Sequence, residues 1–576
     1  MVPGEQVTLK PAVPRPATVA VAAFLVGPVA AGLIGTALPA LGYLPAAGAG
    51  ELSLEPFSQL LDTPGLRRSV LLSFCSGIAA TALSLLLVFL LLAGWMNSPV
   101  FTVLRRLLAP LLSVPHAAAA LGLALVIAPS GLLVRLAASF SPALDRPPDW
   151  LILQDPLALS LTLGLALKEV PFLLLMALAA LHQVDSLPRV RLAESLGYGR
   201  MAAFLHAVAP ALYRQMRLPV LAVLAFSTSV VDMALILGPG LPATLSVRVA
   251  GWMSDPDLAV RMKGAAGALL QLGVSGLAVL VWIAGERLAR LLVRHMAAGG
   301  RRLVSDRSLR ALCLGGIYVL LALAVASLIA LALWSVAGTW HYPDILPRRW
   351  TLQPWLLAGS GLTKAVFTTL VLGLSVSLVA VVLVVAMLQE GGHDRGQRVH
   401  SRAGTWMAAL VFLPLLVPQV AFLFGLQVLF LQLGLDGCWL AVAASHLVFV
   451  LPYVILSLAG PWAALDPRYR HLALSLGASE VRVFWRIRLP LMLPALATAA
   501  ALGLAVSVSQ YLPTLLVGGG RVVTVTTEAV ALASGGSRPL IAVHALAQIL
   551  LPFAGFVAAA LLPRLLVPRL YTARVA

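Results

Sequence analysis

The chain contains a succession of apolar runs, each about 20 residues long, and these runs leave few folds open to it. About 20 residues of α-helix cross the roughly 30 Å hydrocarbon layer of a bilayer, whereas membrane β-barrel strands alternate over about 10 residues. The 576 residues are 60% hydrophobic and 11% charged, while soluble proteins are about 25% charged. We therefore predict an all-α polytopic membrane protein.

The apolar pattern predicts about twelve transmembrane helices. Pro and Gly interrupt it near residues 97–135 and 407–437, which membrane helices tolerate when neighbouring groups satisfy the freed backbone. The predicted spans are residues 17–42, 69–95, 108–130, 157–182, 218–238, 264–286, 311–336, 366–388, 407–432, 439–463, 492–516 and 539–562.

The distribution of basic residues predicts the orientation. With a cytoplasmic N-terminus, the inner segments hold 27 of the 40 Lys and Arg residues and nine acidic residues when Glu286 at the inner end of a span is included, a net charge of +18. This asymmetry follows the positive-inside rule, so we expect both termini in the cytoplasm. The charge is spread over separate inner segments instead of one basic face, which argues against a nucleic-acid partner.

One polar loop occurs twice, 280 residues apart. Each copy places Phe seven and Pro thirteen residues after a Gly. A polar loop between apolar helices has no packing reason to repeat, so we infer a repeated surface contact. Two parallel six-helix repeats account for the offset, because an even number of spans preserves orientation. The copies read Ala193-Glu194-Ser195-Leu196-Gly197 with Phe204 and Pro210, and Ala473-Leu474-Ser475-Leu476-Gly477 with Phe484 and Pro490.

Catalytic and nucleotide-binding motifs are absent from the sequence. It has four lysines, none of which follows a glycine, so it lacks the phosphate-cradling G-x-x-x-x-G-K-[ST] loop. Neither H-E-x-x-H nor G-x-S-x-G occurs, and no spacing of ligands suggests a metal site. We expect a protein that is not an enzyme and binds no cofactor, with energy supplied by another polypeptide or by an ion gradient.

The repeated loop resembles the cytoplasmic signature E-A-A-x3-G-x9-I-x-L-P of the membrane permeases of binding-protein-dependent ABC importers. Both copies keep the second Ala, the Gly and the Pro, and the second copy also keeps Ile487 and Leu489. Both copies depart at the first two positions, which are Arg191 and Leu192, and His471 and Leu472.

The resemblance implies a fused permease similar to thiamine and iron(III) importers and to an uncharacterised thiamine-like type. It implies a bacterial inner membrane location, two copies of a cytoplasmic ABC ATPase that uses the ATP, and a periplasmic or extracellular solute-binding protein. The implied division is 1–68 (tail, first span, outer loop), 69–290 (first permease domain), 291–363 (linker, seventh span, outer loop), 364–570 (second permease domain) and 571–576 (tail). The implied ATPase-coupling residues are Ala193, Glu194, Gly197, Phe204, Pro210, Ala473, Gly477, Phe484 and Pro490.

Polar residues inside predicted spans are candidates for the solute pathway, because such residues are costly in a membrane. Asp232 would favour a cationic solute. A structural interpretation pairs Lys168 with Asp232 or with Glu169, and small polar residues also serve helix packing. A secondary transporter driven by an ion gradient, with Asp232, Glu169 and Lys168 as coupling groups, is the alternative function. The candidate pathway residues are Asp232, Lys168, Ser229, Ser509, Gln510 and Tyr511.

Overall fold

The computed structural model describes residues 16–45, 48–181, 183–299, 306–391, 402–535 and 537–566. Within these ranges the chain forms helices and loops without a β-strand, which confirms the predicted all-α fold. The predicted tail at 571–576 and part of the predicted linker, 300–305, lie outside the described residues. We refer to residues 16–299 as the first half and 306–566 as the second half.

The helices are numbered in chain order. The first half contains α1 (Pro16–Ala40), α2 (Glu55–Leu61), α3 (Leu66–Trp95), α4 (Pro99–Leu108), α5 (His116–Ile127), α6 (Leu132–Ala138), α7 (Leu159–Leu181), α8 (Ser186–Ser195), α9 (Arg200–Ala207), α10 (Ala209–Ser229), α11 (Asp232–Leu237), α12 (Leu245–Met253) and α13 (Leu258–Ala298). The second half contains α14 (Arg307–Ser335), α15 (Gln353–Gly391), α16 (Arg402–Leu416), α17 (Gln419–Gln432), α18 (Trp439–Ala463), α19 (Arg468–Ser475), α20 (Glu480–Val483), α21 (Leu489–Val508), α22 (Leu512–Gly518), α23 (Val525–Ala533) and α24 (Arg538–Leu566).

The number of spans differs from the predicted twelve. Among the described residues, ten helices are long and apolar enough to cross a membrane, or eleven if α16 and α17, bent by 90°, form one span. The predicted span at 218–238 is not one helix, because α10 ends at Ser229 and α11 begins at Asp232. The predicted span at 492–516 divides in the same way between α21 and α22. Two parallel repeats and the domain boundaries drawn from them stay predictions.

Both interrupted helices are held by hydrogen bonds from the short helices that follow them. The Ser246 hydroxyl donates to the carbonyl of Val230 at 2.8 Å, and the Thr526 hydroxyl donates to the carbonyl of Val508. Ser246 and Thr526 are 280 positions apart. These bonds satisfy carbonyl groups that the breaks would otherwise leave open inside the membrane.

A second pair of hydrogen bonds fixes the start of each short helix. The backbone N–H of Leu245 in α12 donates to the Ser73 hydroxyl at 2.9 Å. The N–H of Val525 in α23 donates to the Thr369 hydroxyl at 3.0 Å. Ser73 and Thr369 lie in α3 and α15, so a long helix holds the short one in each half.

The first helix of each half packs against the other half. Helix α1 contacts α17, and α14 contacts α5. Glycines allow both contacts: a Cβ added to Gly425 would lie 2.0 Å from the carbonyl oxygen of Gly32, and one added to Gly122 would lie 2.9 Å from Cβ of Ser327. The Thr36 hydroxyl accepts a 3.0 Å hydrogen bond from the N–H of Gly425. The two halves are therefore interlocked.

The beginnings of these two helices are also anchored on the opposite half. The Glu390 carboxylate, at the end of α15, accepts hydrogen bonds from the N–H groups of Ala17 at 2.8 Å and Thr18 at 2.9 Å. At the end of α3, the Trp95 indole donates to the carbonyl of Arg310 at 3.2 Å. The guanidinium of Arg310 lies 4.9 Å from the centre of the same ring.

The Gly425→Leu substitution should separate α1 from α17 and destabilise the protein. Overpacking a tight contact costs about 1–3 kcal/mol, so the purified protein in detergent should unfold at a lower temperature. Gly27→Leu is the matched control, because a Cβ at Gly27 of α1 has nothing within 4 Å. Equal melting temperatures for the two variants would contradict the close packing of these helices.

Candidate functional site

The two copies of the repeated loop have the same backbone geometry. In the first, α8 is followed by Gly197 with φ +86° and then by α9; in the second, α19 is followed by Gly477 with φ +80° and then by α20. These φ values are left-handed, a conformation that costs other residues about 1–2 kcal/mol. Glycine at this position therefore sets the turn between the two helices.

Hydrogen bonds close both turns in an identical pattern. The N–H of Gly197 donates to the carbonyl of Glu194 at 2.9 Å, and that of Tyr198 to the carbonyl of Ala193 at 3.2 Å. The second loop has the same two bonds, from Gly477 to Leu474 at 3.0 Å and from Ala478 to Ala473 at 3.0 Å. This is the Schellman arrangement of a helix C-terminus, so the Ala and Gly of the signature shape the loop.

Exposed leucines occupy equivalent positions on the two loops. Leu192 is 64% and Leu196 59% exposed in the first loop, and Leu472 is 62% and Leu476 78% exposed in the second. The sequence interpretation did not choose them as site residues, although their spacing of 280 was a usable signal. Each loop thus presents an apolar face that its own fold leaves uncovered.

Phe204, one of the implied ATPase-coupling residues, does not present its side chain on the surface of the loop. Its side chain is 1% exposed and packs in the core of the first half, because α9 turns this residue toward the protein. Phe484 is half-buried, Glu194 is exposed, Ala193 is half-buried and Ala473 is buried. Pro210 and Pro490 lie in the first turns of α10 and α21, where a missing N–H costs nothing.

Each loop continues into one of the interrupted helices. Helix α9 ends at Ala207 and α10 begins at Ala209. In the second half a π-helical turn, Phe484–Arg488, joins α20 to α21, and Glu480–Val508 reads as a continuous helical segment. At about 1.5 Å per residue, α10 alone is roughly 30 Å long, so the loops and the breaks lie at opposite ends of the same helices.

The two serines that were predicted to line the solute pathway stabilise the ends of their own helices. The Ser229 hydroxyl donates to the carbonyl of Ala225 at 2.7 Å, and the Ser509 hydroxyl donates to the carbonyl of Ala505 at 2.8 Å. The carbonyl of Gln510 accepts a 2.6 Å bond from the Thr514 hydroxyl. The residues between the helices form the two breaks: Val230 and Val231 in one half, and Ser509, Gln510 and Tyr511 in the other.

Lys168 binds backbone carbonyls and not Asp232. Its ammonium donates to the carbonyls of Leu111 at 2.9 Å and Val114 at 2.5 Å, on the turn that precedes α5. The salt bridges among the described residues do not include a Lys168–Asp232 pair, so that half of the structural interpretation is not borne out. Lys168 stabilises the 3₁₀ turn Ala109–Ser113 and the residue that follows it.

Two buried carboxylates lie within electrostatic reach of residues of both halves. The Glu169 carboxylate in α7 lies 3.8 Å from the imidazole of His116, and Asp232 is the first residue of α11. The Asp232 carboxylate is within electrostatic reach of His116 and Tyr511. The Glu169 carboxylate is within electrostatic reach of Tyr453. Sequence reasoning missed His116 and Tyr453, since neither has a motif around it.

Comparison with known proteins places the chain among transport permeases. A family model described as "Binding-protein-dependent transport system inner membrane component" matches residues 395–572. The inner membrane ABC transporter permease protein YnjC of Escherichia coli K12 is 32% identical over 513 residues, which cover 89% of this chain and 91% of YnjC.

Two shorter matches are to permeases of named transport systems. The spermidine/putrescine transport system permease protein PotC of Escherichia coli K12 is 30% identical over 195 residues, 34% of this chain and 68% of PotC. The molybdenum transport system permease protein ModB of Mycobacterium tuberculosis is 31% identical over 157 residues, 25% of this chain and 58% of ModB. Because the match to YnjC spans nearly the full length of both chains, this chain belongs to the family of ABC importer permeases, multi-pass proteins of the inner membrane.

Proposed function

We propose that this chain is the transmembrane permease of an ATP-driven importer that moves a small solute delivered by an external binding protein. Two copies of a cytoplasmic ABC ATPase bind the loops at 186–207 and 468–488, and both chain termini lie on that side. The observation that carries the proposal is the pair of loops with equal backbone geometry and equally exposed leucines, 280 residues apart.

The arrangement supports a direct mechanical link between the ATPases and the membrane. Each loop leads into a helix that ends at a break, and the break lies beside the buried carboxylates or the tyrosines that face them. Closure of the ATPases on ATP moves the loops, and the helices transmit that movement to the breaks. ATP can drive this change only because the ATPases bind the two states of the permease with different affinity.

Asp232 and Glu169, with Tyr453 and Tyr511 opposite, are proposed to line the solute pathway. Carboxylates that are nine-tenths buried are costly in a membrane unless they serve a function, and they favour a cation. The names of the relatives indicate different solutes, since PotC belongs to a spermidine/putrescine system and ModB belongs to a molybdenum system. The carboxylates favour a cationic solute such as an organic amine or a thiamine-like molecule.

The Leu472→Asp, Leu476→Asp double variant should lose ATPase coupling. Two charges on an apolar contact weaken binding, since carboxylates are costly to desolvate. ATP hydrolysis stimulated by the binding protein, measured on the assembled complex in nanodiscs, should fall at least about tenfold. Leu241→Asp, at a 96% exposed leucine outside both loops, is the control. Unchanged stimulation in the double variant would contradict docking at this loop.

The Asp232→Asn substitution should impair transport of a cationic solute without removing the ATPases. A hydrogen bond to a charged group contributes about 1.5–3 kcal/mol of binding free energy. Losing the charge of Asp232 should therefore lower uptake into proteoliposomes roughly tenfold or more. Ser229→Ala is the control with a small effect, because that hydroxyl bonds to its own helix. Uptake that continues without ATP and collapses with an ionophore would instead indicate a secondary transporter that uses Asp232, Glu169 and Lys168.

A further inference from the structure

A buried histidine joins the two sides of the break in the second half. His446 of α18 is 1% exposed. Its Nδ1 lies 2.9 Å from the hydroxyl of Ser507, near the end of α21. Its Nε2 lies 2.9 Å from the hydroxyl of Thr514 in α22. One side chain therefore holds both the helix before the break and the helix after it.

The direction of each hydrogen bond follows from the Thr514 hydroxyl. That hydroxyl donates its proton to the carbonyl of Gln510 at 2.6 Å, so it accepts from His446, and Nε2 carries the ring proton. A neutral imidazole then has its acceptor at Nδ1, which accepts from the Ser507 hydroxyl. Each group in this chain has a partner, and a fully satisfied buried network of this kind is rigid.

The first half lacks this link at the equivalent place. Two of the three side chains are apolar there and can neither donate nor accept a hydrogen bond. The third is Ser227, whose buried hydroxyl has no partner among the described residues. These side chains therefore do not join α10 to α11. The equivalents of His446, Ser507 and Thr514 are Leu165, which like His446 stands six residues before a proline, Ser227 and Ala234.

Other contacts of the short helices are alike in the two halves. The carbonyl of Leu237, at the end of α11, accepts a 2.7 Å hydrogen bond from the Ser160 hydroxyl. The equivalent carbonyl of Val517 in α22 accepts a 3.2 Å bond from the N–H of Gly437. The hydroxyl bonds from α12 and α23 to the carbonyls at the breaks are also paired. The histidine link therefore distinguishes the second break from the first.

We propose that His446 is a positioning residue that makes α21 and α22 one rigid unit, so that the break beside Asp232 is the one that bends. The link itself requires neither an ATPase nor a solute. Its consequence for transport rests on the proposed function. Because Asp232 is the first residue of α11, movement of the loop at 186–207 changes the position of its carboxylate relative to α10, while Tyr511 keeps its place on α21.

Hydrogen–deuterium exchange of the full-length permease in nanodiscs tests the rigid break. His446→Leu removes both bonds and copies the residue of the first half. The amides of α22 should then exchange at least about tenfold faster, because local opening limits exchange. Ser445→Ala is the matched control, since this buried hydroxyl bonds to the carbonyl of Val442 in its own helix. Unchanged exchange of α22 in His446→Leu, or equal acceleration by Ser445→Ala, would overturn the proposal.

Thr514→Ala decides the same point if His446→Leu does not fold. It copies Ala234 of the first half and removes one of the two bonds to the imidazole. The amides of α22 should exchange at least about threefold faster, since one bond across the break remains. An unchanged rate in this variant would also overturn the proposal.

Transplanting the link tests bending at the first break. Leu165→His with Ala234→Thr offers a partner to the unpaired Ser227 hydroxyl. Exchange of α11 amides should slow at least about threefold, and ATP-driven uptake into proteoliposomes should fall at least about fivefold, because a rigid break cannot follow the loop. Leu165→His alone is the control, since without the threonine hydroxyl it cannot bridge the break.

Unchanged exchange or unchanged uptake in the double variant, or an equal fall in uptake in both variants, would overturn bending at the first break. Failure of the proposed function gives a different result. The unchanged chain would then show no ATP-driven uptake, whereas the exchange rates of His446→Leu would still decide whether the histidine makes the second break rigid.

Discussion

A carbonyl group that leaves its helix inside a bilayer must find another donor, and in this protein hydroxyl groups supply it at the break in each half. Ser246 bonds to Val230, and Thr526 bonds to Val508. Such bonds allow a helix to break inside a bilayer, where an unsatisfied backbone group costs several kcal/mol. The breaks are what place Asp232 and Tyr511 at helix starts within the protein interior instead of along a smooth span.

The same two helices connect the breaks to the loops, so in the proposed importer one helix in each half links the ATPase-binding loop to the solute pathway. The interlocking of α1 with α17 and of α14 with α5 adds a second constraint. Because the first helix of each half is anchored on the opposite half, the two halves pack as one interlocked unit.

Sequence reasoning succeeded where a residue type has one structural meaning. Long apolar runs predicted helices, and the paired Gly197 and Gly477 predicted two equivalent turns. It failed where the result depends on which way a side chain points from its helix. The spacing from Gly197 could not show that α9 turns the Phe204 side chain toward the core. The position of Lys168 within an apolar run likewise did not show that carbonyls of a neighbouring turn bind its ammonium. The break after Ser229 was hidden because the apolar composition continues through Val230 and Val231.

The most direct test of the account is the number of ATPase subunits bound to one permease chain, measured by native mass spectrometry of the complex purified from its own membrane. The account predicts two copies on the unchanged chain, since the loops have equal geometry and equally exposed leucines. It predicts one copy when Leu192 and Leu196 of the first loop are both changed to Asp. Two copies retained in that variant, or none on the unchanged chain, would contradict it.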